Sequence, residues 1–125
     1  MPVSHCATLK ASAIETTMAW YRSIGFEVRG QFPDTDPTWC EVARDDLALQ
    51  FISGETPWPQ APGCTGCFYV RPATSVTEVH GRLAAVVPVP WGVEERPWGA
   101  RELVLQDPDG YFITFTEELE DGAGS

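Results

Sequence analysis

The chain has 125 residues, 43% of them hydrophobic, and 18 Asp and Glu against 8 Lys and Arg give it a net charge of −10. That length and composition fit one domain (1–125) with a real core and exclude wholesale disorder. The acidic balance argues against a nucleic-acid binder or an anionic-membrane binder, and no apolar run reaches the roughly 18–20 residues of a membrane span.

In chain order, the start Met1-Pro2-Val3-Ser4-His5 lacks the basic and apolar regions of a secretory signal, so a cytoplasmic location is expected. Cys6 to Lys10 reads as a short strand. Ser12-Ala13-Ile14-Glu15 has capping-box spacing, and Ile14, Met18 and Tyr21 fall on one helical stripe. Gly25 stands where a left-handed helix end belongs. Phe26–Val28, Thr38–Ala43 and Leu47–Ile52 then read as three strands.

The second half repeats the plan. Cys67–Val70 is β-rich, Ser75-Val76-Thr77-Glu78 has the same capping spacing, and Val76, Val79 and Leu83 form a second stripe. Val86–Val89, Arg101–Gln106 and Tyr111–Thr116 are the expected last strands, with Asp107-Pro108-Asp109-Gly110 as the turn between the final two. The expected organisation is therefore a βαβββ module over 5–53, a Pro-rich linker over 54–63 around Trp58, a second module over 64–117 and an acidic tail over 118–125.

Two such modules make an α+β fold with an open, curved sheet, helices on one face and a hollow on the other. Strand alternation sends Leu47, Leu49, Phe51, Ile113 and Phe115 toward the helices. It sends Ala48, Gln50, Ile52, Phe112, Thr114 and Thr116 toward the hollow, and hairpin parity allows Trp39 and Glu41 to join Gln50 there. A one-residue slip would exchange every assignment.

Several candidate sites carry little. The four cysteines, at 6, 40, 64 and 67, contain one C-x-x-C pair but read as buried free thiols rather than a zinc or redox site. His80 lies on the second helix and reads as a surface or half-buried structural residue, and His5 near a strand start also reads as structural. The Asp107-x-Asp109 motif is no calcium loop, because Phe112 stands where the sixth-position glycine is required. The five tryptophans are more informative. Trp20 beside Tyr21 reads as core, whereas Trp39, Trp58, Trp91 and Trp98 fall in or beside Pro-rich loops and strand ends. Indole faces there suit a planar ligand, and the acidic field favours a cationic one.

Ile14 to Tyr21 followed by Gly25-Phe26-Glu27-Val28, and Trp98 to Glu102 followed by Asp107-Pro108-Asp109-Gly110-Tyr111, resemble the paired signatures of the vicinal oxygen chelate superfamily. Its members include glyoxalase I, extradiol dioxygenases and bleomycin-resistance proteins, and the resemblance runs from about residue 5 to 117. It implies the glyoxalase/bleomycin resistance fold and a homodimer with clefts at or near the interface. The superfamily's metal-ligand positions carry over to Cys6 (with His5 one place off), Gln50, Thr65 and Thr114. Only Gln50 is a plausible oxygen ligand among them, so neither a metal site nor a cofactor is expected.

The resemblance is nearest to the bleomycin-resistance branch, in which an aromatic at the Trp39 position stacks on drug. The expected function is thus non-enzymatic binding of a planar, antibiotic-like small molecule in a cleft lined by Trp39, Gln50, Cys67, Tyr69, Trp91, Trp98, Arg101, Phe112 and Thr114. Arg101 either pairs with an acidic group on the ligand or with a neighbouring carboxylate. The alternative is a metal-dependent lyase, isomerase or dioxygenase using Gln50, His5 and a carboxylate such as Glu41 or Glu102.

Overall fold

The structure, a computed structural model, describes residues 7–54 and 66–119. Ten elements follow one another as β1 (Ala7–Lys10), α1 (Ile14–Ser23), β2 (Glu27–Phe32), β3 (Trp39–Arg44), β4 (Leu47–Ile52), β5 (Cys67–Val70), α2 (Val76–Leu83), β6 (Val93–Arg96), β7 (Ala100–Gln106) and β8 (Phe112–Glu118). Each half forms a four-stranded mixed sheet, in the order β1-β4-β3-β2 and β5-β8-β7-β6. In each sheet the first strand runs parallel to the fourth, and the other pairings are antiparallel. This is the α+β plan expected from the repeat.

Neither helix is long enough to hold itself together in water, since isolated helices shorter than about 12–15 residues are marginal. Packing supplies the difference. Ile14, Thr17, Met18 and Tyr21 of α1 are buried, as are Val76, Val79 and Leu83 of α2. Their partners are Leu49 and Phe51 of β4, Leu103 and Leu105 of β7, and Ile113 and Phe115 of β8, all fully buried. Each such side chain contributes about 1.5–3 kcal/mol by leaving water.

The helix ends divide the sequence expectations. Ser75 caps α2 as its spacing predicts, its hydroxyl accepting from the Glu78 N–H at 3.1 Å. Ser12 does not cap α1: Ala13 is the N-cap, with no side-chain bond. Ser12 instead donates through Oγ to Asp109 Oδ1 at 2.5 Å, and its N–H also faces that carboxylate. A carboxylate brought from the second module engages the hydroxyl in place of the local backbone N–H that a cap would have served. At the other end of α1, Gly25 has φ +92°. Its N–H donates to the Arg22 carbonyl, the Phe26 N–H donates to the Tyr21 carbonyl, and the Phe26 and Tyr21 rings meet edge-on at 5.1 Å. That is the paired-bond helix stop with its apolar contact.

Two further expectations change. The sixth strand is not Val86–Val89 but Val93–Arg96, within the Pro/Trp-rich stretch. Val87 instead drops into the core and Val89 packs against it, because prolines 88 and 90 lack the N–H that a ladder needs. β8 also runs past Thr116 to Glu118, taking Glu118 from the expected tail. The start of the chain through Cys6, most of the linker including Trp58 and Cys64, Thr65, and the tail from residue 120 lie outside the described residues.

The Asp107–Gly110 turn does more than reverse the chain. Asp107 Oδ1 accepts from the N–H groups of Asp109 and Tyr111 at 2.9 and 3.0 Å, and Gly110 takes φ +96° to re-enter the strand. Asp107 Oδ2 accepts from the Tyr21 hydroxyl of α1 at 2.7 Å. The Tyr111 hydroxyl donates to the Lys10 carbonyl at 3.0 Å. The turn of the second module is thereby fastened to β1 and α1 of the first.

Burial raises the Asp107 carboxyl above its ordinary value of 3.8, a shift that the Tyr21 hydroxyl and two backbone N–H groups oppose but do not cancel. Burial also drives the Tyr21 phenol upward, reinforced by the Asp107 charge, so it stays a donor. Removing that donor in Tyr21→Phe leaves a desolvated carboxylate short of one bond. A loss of about 1–3 kcal/mol in urea-unfolding free energy is expected. A raised folded-state pKa means that the contribution of Asp107 is full below pH 3.8 and declines as pH rises through the folded value. The stability of the native protein relative to Asp107→Asn should therefore fall as pH rises above 3.8, read from urea midpoints along a pH series.

Candidate functional site

On the first sheet, the face turned away from the helices carries Thr8, Gln50, Glu41 and Trp39 side by side. The register pairs Thr8 with Gln50 and Gln50 with Glu41. Gln50 is the hub: its Oε1 lies 3.4 Å from the Thr8 hydroxyl and 3.5 Å from the Trp39 indole N–H, and its Nε2 donates to Glu41 Oε1 at 3.2 Å. The amide thereby links an indole ring to a carboxylate on one surface.

Gly30 of β2 makes room for that ring. A Cβ at residue 30 would lie 3.2–3.3 Å from the outer carbons of the Trp39 ring, so any side chain there would press the indole out of place. Sequence reading missed Gly30. The signal was a glycine inside a strand, which marks a bulge or a close approach, and the β2–β3 register does shift between Val28 and Gly30.

The second sheet carries a different set on its helix-free face. Cys67 pairs with Phe112 and Tyr69 with Thr114 across β5–β8, and Glu102 pairs with Thr116 across β7–β8. Thr114 is buried, with its hydroxyl 3.6 Å from the Cys67 sulfur. Cys67 is an exposed free thiol, whereas Cys40 is buried in the core, where desolvation pushes its thiol up to about 11. The Tyr69 phenol is raised above its usual value, chiefly by the neighbouring Cys67.

Two shallow recesses open on this sheet. One, of about 260 Å³, is lined by Trp91, Gly92, Glu94, Arg96, Val104 and Phe112, with the Trp91 and Phe112 rings 6.1 Å apart. The other, of about 400 Å³, is lined by Tyr69, Arg71, Trp98, Gly99, Ala100, Glu102, Thr116 and Glu118. An ion pair joins their walls: Arg96 Nε donates to Glu102 Oε1 at 3.1 Å, Arg96 Nη1 donates to Glu94 Oε1 at 2.8 Å, and the Thr116 hydroxyl donates to Glu102 Oε2 at 3.1 Å. Trp98, Tyr69 and Trp91 are 68%, 56% and 50% exposed, an unusual quantity of aromatic surface left in water.

The expected cleft residues thus separate into two groups. Trp39 and Gln50 stand on the first sheet, while Cys67, Tyr69, Trp91, Trp98, Phe112 and Thr114 belong to the second. Among the described residues no hydrogen bond or ring contact links the groups. Arg101 does not belong to the cleft face. It shares strand parity with Leu103 and Leu105, which point to the helices, and it pairs with Glu95 at 3.0 Å and Glu117 at 3.6 Å. Glu117 in turn accepts from the Val76 N–H at the start of α2. Arg101 therefore serves the helix-facing side, through the carboxylate partner that its sequence context had left open.

Of the positions that the resemblance assigns to a divalent metal, Gln50 and Thr114 are described. Gln50 is committed to three neighbours, Thr114 to a thiol, and Glu102 to a guanidinium, and no group of three His, Cys, Asp or Glu side chains converges among the described residues. His5, Cys6 and Thr65 lie outside the described residues.

No protein-family model matches the sequence, and no curated protein does. Solved structures do match in fold. TioX from Micromonospora sp. ML1 superposes with a TM-score of 0.72 at 19% identity, over 91% of this chain and 94% of that one. A bleomycin-binding protein from bleomycin-producing Streptomyces verticillus, complexed with copper(II)-bleomycin, gives 0.66 at 22% identity over 92% and 95%. A glyoxalase/bleomycin resistance protein/dioxygenase from Nocardioides gives 0.70 at 17% identity over 96% and 85%. The fold is that of the glyoxalase/bleomycin resistance proteins.

Arg96→Gln would leave Glu102, only 6% exposed, with the Thr116 hydroxyl as its remaining partner. A loss of about 1–3 kcal/mol is expected in urea unfolding, and Arg96→Gln with Glu102→Gln together should recover part of it, because the orphaned charge is then gone.

Proposed function

We propose that this chain, with its glyoxalase/bleomycin resistance fold, binds a planar, cationic small molecule against its helix-free sheet faces and releases it chemically unchanged. The observation that carries the reading is Trp39. Its ring has a place kept open by Gly30, and through Gln50 it is tied to the Glu41 carboxylate on the same surface. An indole face beside a carboxylate attracts a flat cation by stacking, cation–π attraction and charge together. The exposed rings of Trp91, Trp98 and Tyr69 supply further flat apolar surface.

Two lines of support come from outside this surface. Bleomycin-binding proteins are among the structures that share the fold. The net charge of −10 also favours cations over anions at long range. The expected partner is a second copy of the chain, because the two groups of cleft residues lie on separate sheets and the superfamily resemblance implies a dimer. Sedimentation equilibrium reads that state directly.

Titration of intrinsic tryptophan fluorescence with bleomycin and with planar aromatic cations should show saturable quenching. Trp39→Ala should weaken the affinity by about 3- to 30-fold, the range spanned by a cation–π contact. An unchanged affinity in that variant would assign the ligand to another surface. Mass spectrometry should return the ligand unaltered. Conversion of the ligand, together with near one equivalent of divalent metal per chain after purification without chelator, would favour the metal-dependent lyase, isomerase or dioxygenase instead.

A further inference from the structure

A recess of about 670 Å³ lies where the last turns of α1 and α2 approach the loop before α2 and the ends of β2 and β3. It shares no lining residue with the two recesses on the second sheet. Its charge runs against that of the molecule. Arg22, Arg29, Arg44 and Arg82 line it, half of the 8 cationic side chains of the chain, while Glu27 and Asp45 are the carboxylates on its wall.

The four guanidinium groups are not equally engaged. Arg44 is fixed: its Nη1 donates to the Ile24 carbonyl at 2.6 Å, its Nε pairs with Asp45 at 3.1 Å, and its head lies 4.9 Å from the centre of the Phe115 ring. A Cβ on Gly25 would collide with that head, so the glycine that ends α1 also admits the arginine. Arg29 meets Glu27 only at 3.9 Å and in solvent, a weak pairing. Arg22 and Arg82 make no ion pair with a described residue. Both stand in the last turn of a helix, where a cation complements the dipole. That accounts for an arginine at either end, but not for the meeting of four on one recess.

A second observation points the same way. Thr74 also lines the recess, and its hydroxyl oxygen is buried with no hydrogen-bond partner among the described residues. Buried hydroxyls are nearly always satisfied, and one left over marks a place where a partner belongs. A hydroxyl can donate to an oxyanion, and guanidinium forks match the paired oxygens of a phosphate. Two guanidiniums without an ion-pair partner among the described residues suit a doubly charged group better than a single carboxylate, and the recess has volume to spare for an attached organic body. We propose that this recess is a second ligand site, which holds the phosphate of a phosphorylated small molecule independently of the aromatic face.

Calorimetric titration of the full chain with inorganic pyrophosphate and with a nucleoside diphosphate, at ionic strength held constant with chloride, tests it. Saturable binding is expected for both, with Arg22→Gln plus Arg82→Gln weakening each by about tenfold or more. Thr74→Val, which removes one donor and no charge, should weaken each several-fold and stands in should the double variant fail to fold. Tighter binding of the nucleotide would identify a phosphoester ligand, and tighter binding of pyrophosphate the free anion. No heat from either probe at millimolar concentration, or equal affinity in the native protein and the variants, would overturn the proposal.

Discussion

A buried carboxylate holds this molecule together. Asp107 sits in the turn between the last two strands, accepts from two backbone N–H groups of that turn, and accepts a hydrogen bond from the Tyr21 hydroxyl on the helix of the other module. Three donors on one desolvated group make the arrangement costly to disturb, since each unmade bond leaves charge facing apolar surroundings. Around it the rings of Tyr21, Phe26, Phe51 and Tyr111 meet at 5.1–6.3 Å, so the polar joint is enclosed by the aromatic core it connects. Ser12 with Asp109, and Asp46 with the N–H of Arg71, extend the attachment outward.

The two modules share a plan and have diverged in chemistry. Each uses strand alternation to bury one face and present the other. The first presents an amide, a carboxylate and one seated indole. The second presents three exposed aromatic rings around an arginine held by two glutamates. Of the positions where the superfamily resemblance places metal ligands, the two described ones are engaged locally: Gln50 with Thr8, Trp39 and Glu41, and Thr114 with Cys67. Charge is distributed unevenly as well: four arginines meet near the helix ends, while the helix-free faces carry Glu41, Glu94 and Glu102 together with Arg96.

Much of this was legible in the sequence. The repeat, both helix stripes, the Gly25 helix stop, β4 and β5 to the residue, and the inward and outward sides of β4 and β8 all follow from local spacing. They are properties of a few consecutive residues, and short-range sterics and burial decide them. The sharing of one face by Trp39, Glu41 and Gln50 followed from hairpin parity alone. The true sixth strand did not, because prolines broke the pattern that Val86–Val89 offered and a strand of Glu and Arg has little apolar signal.

What only the tertiary structure decided are the contacts between residues far apart in the chain. Ser12 has the spacing of a cap, yet Asp109 claims it, as no window around residue 12 could reveal. Arg101 had two readings, and strand parity together with Glu95 and Glu117 chose between them. Gly30 matters because Trp39 lies over it, and the four arginines matter because two helix ends and a strand pair bring them to one recess. Local sequence sets which face each residue takes. Only the closing of the chain on itself sets what that face meets, since the energy of a buried pair belongs to both partners and is written at neither position alone.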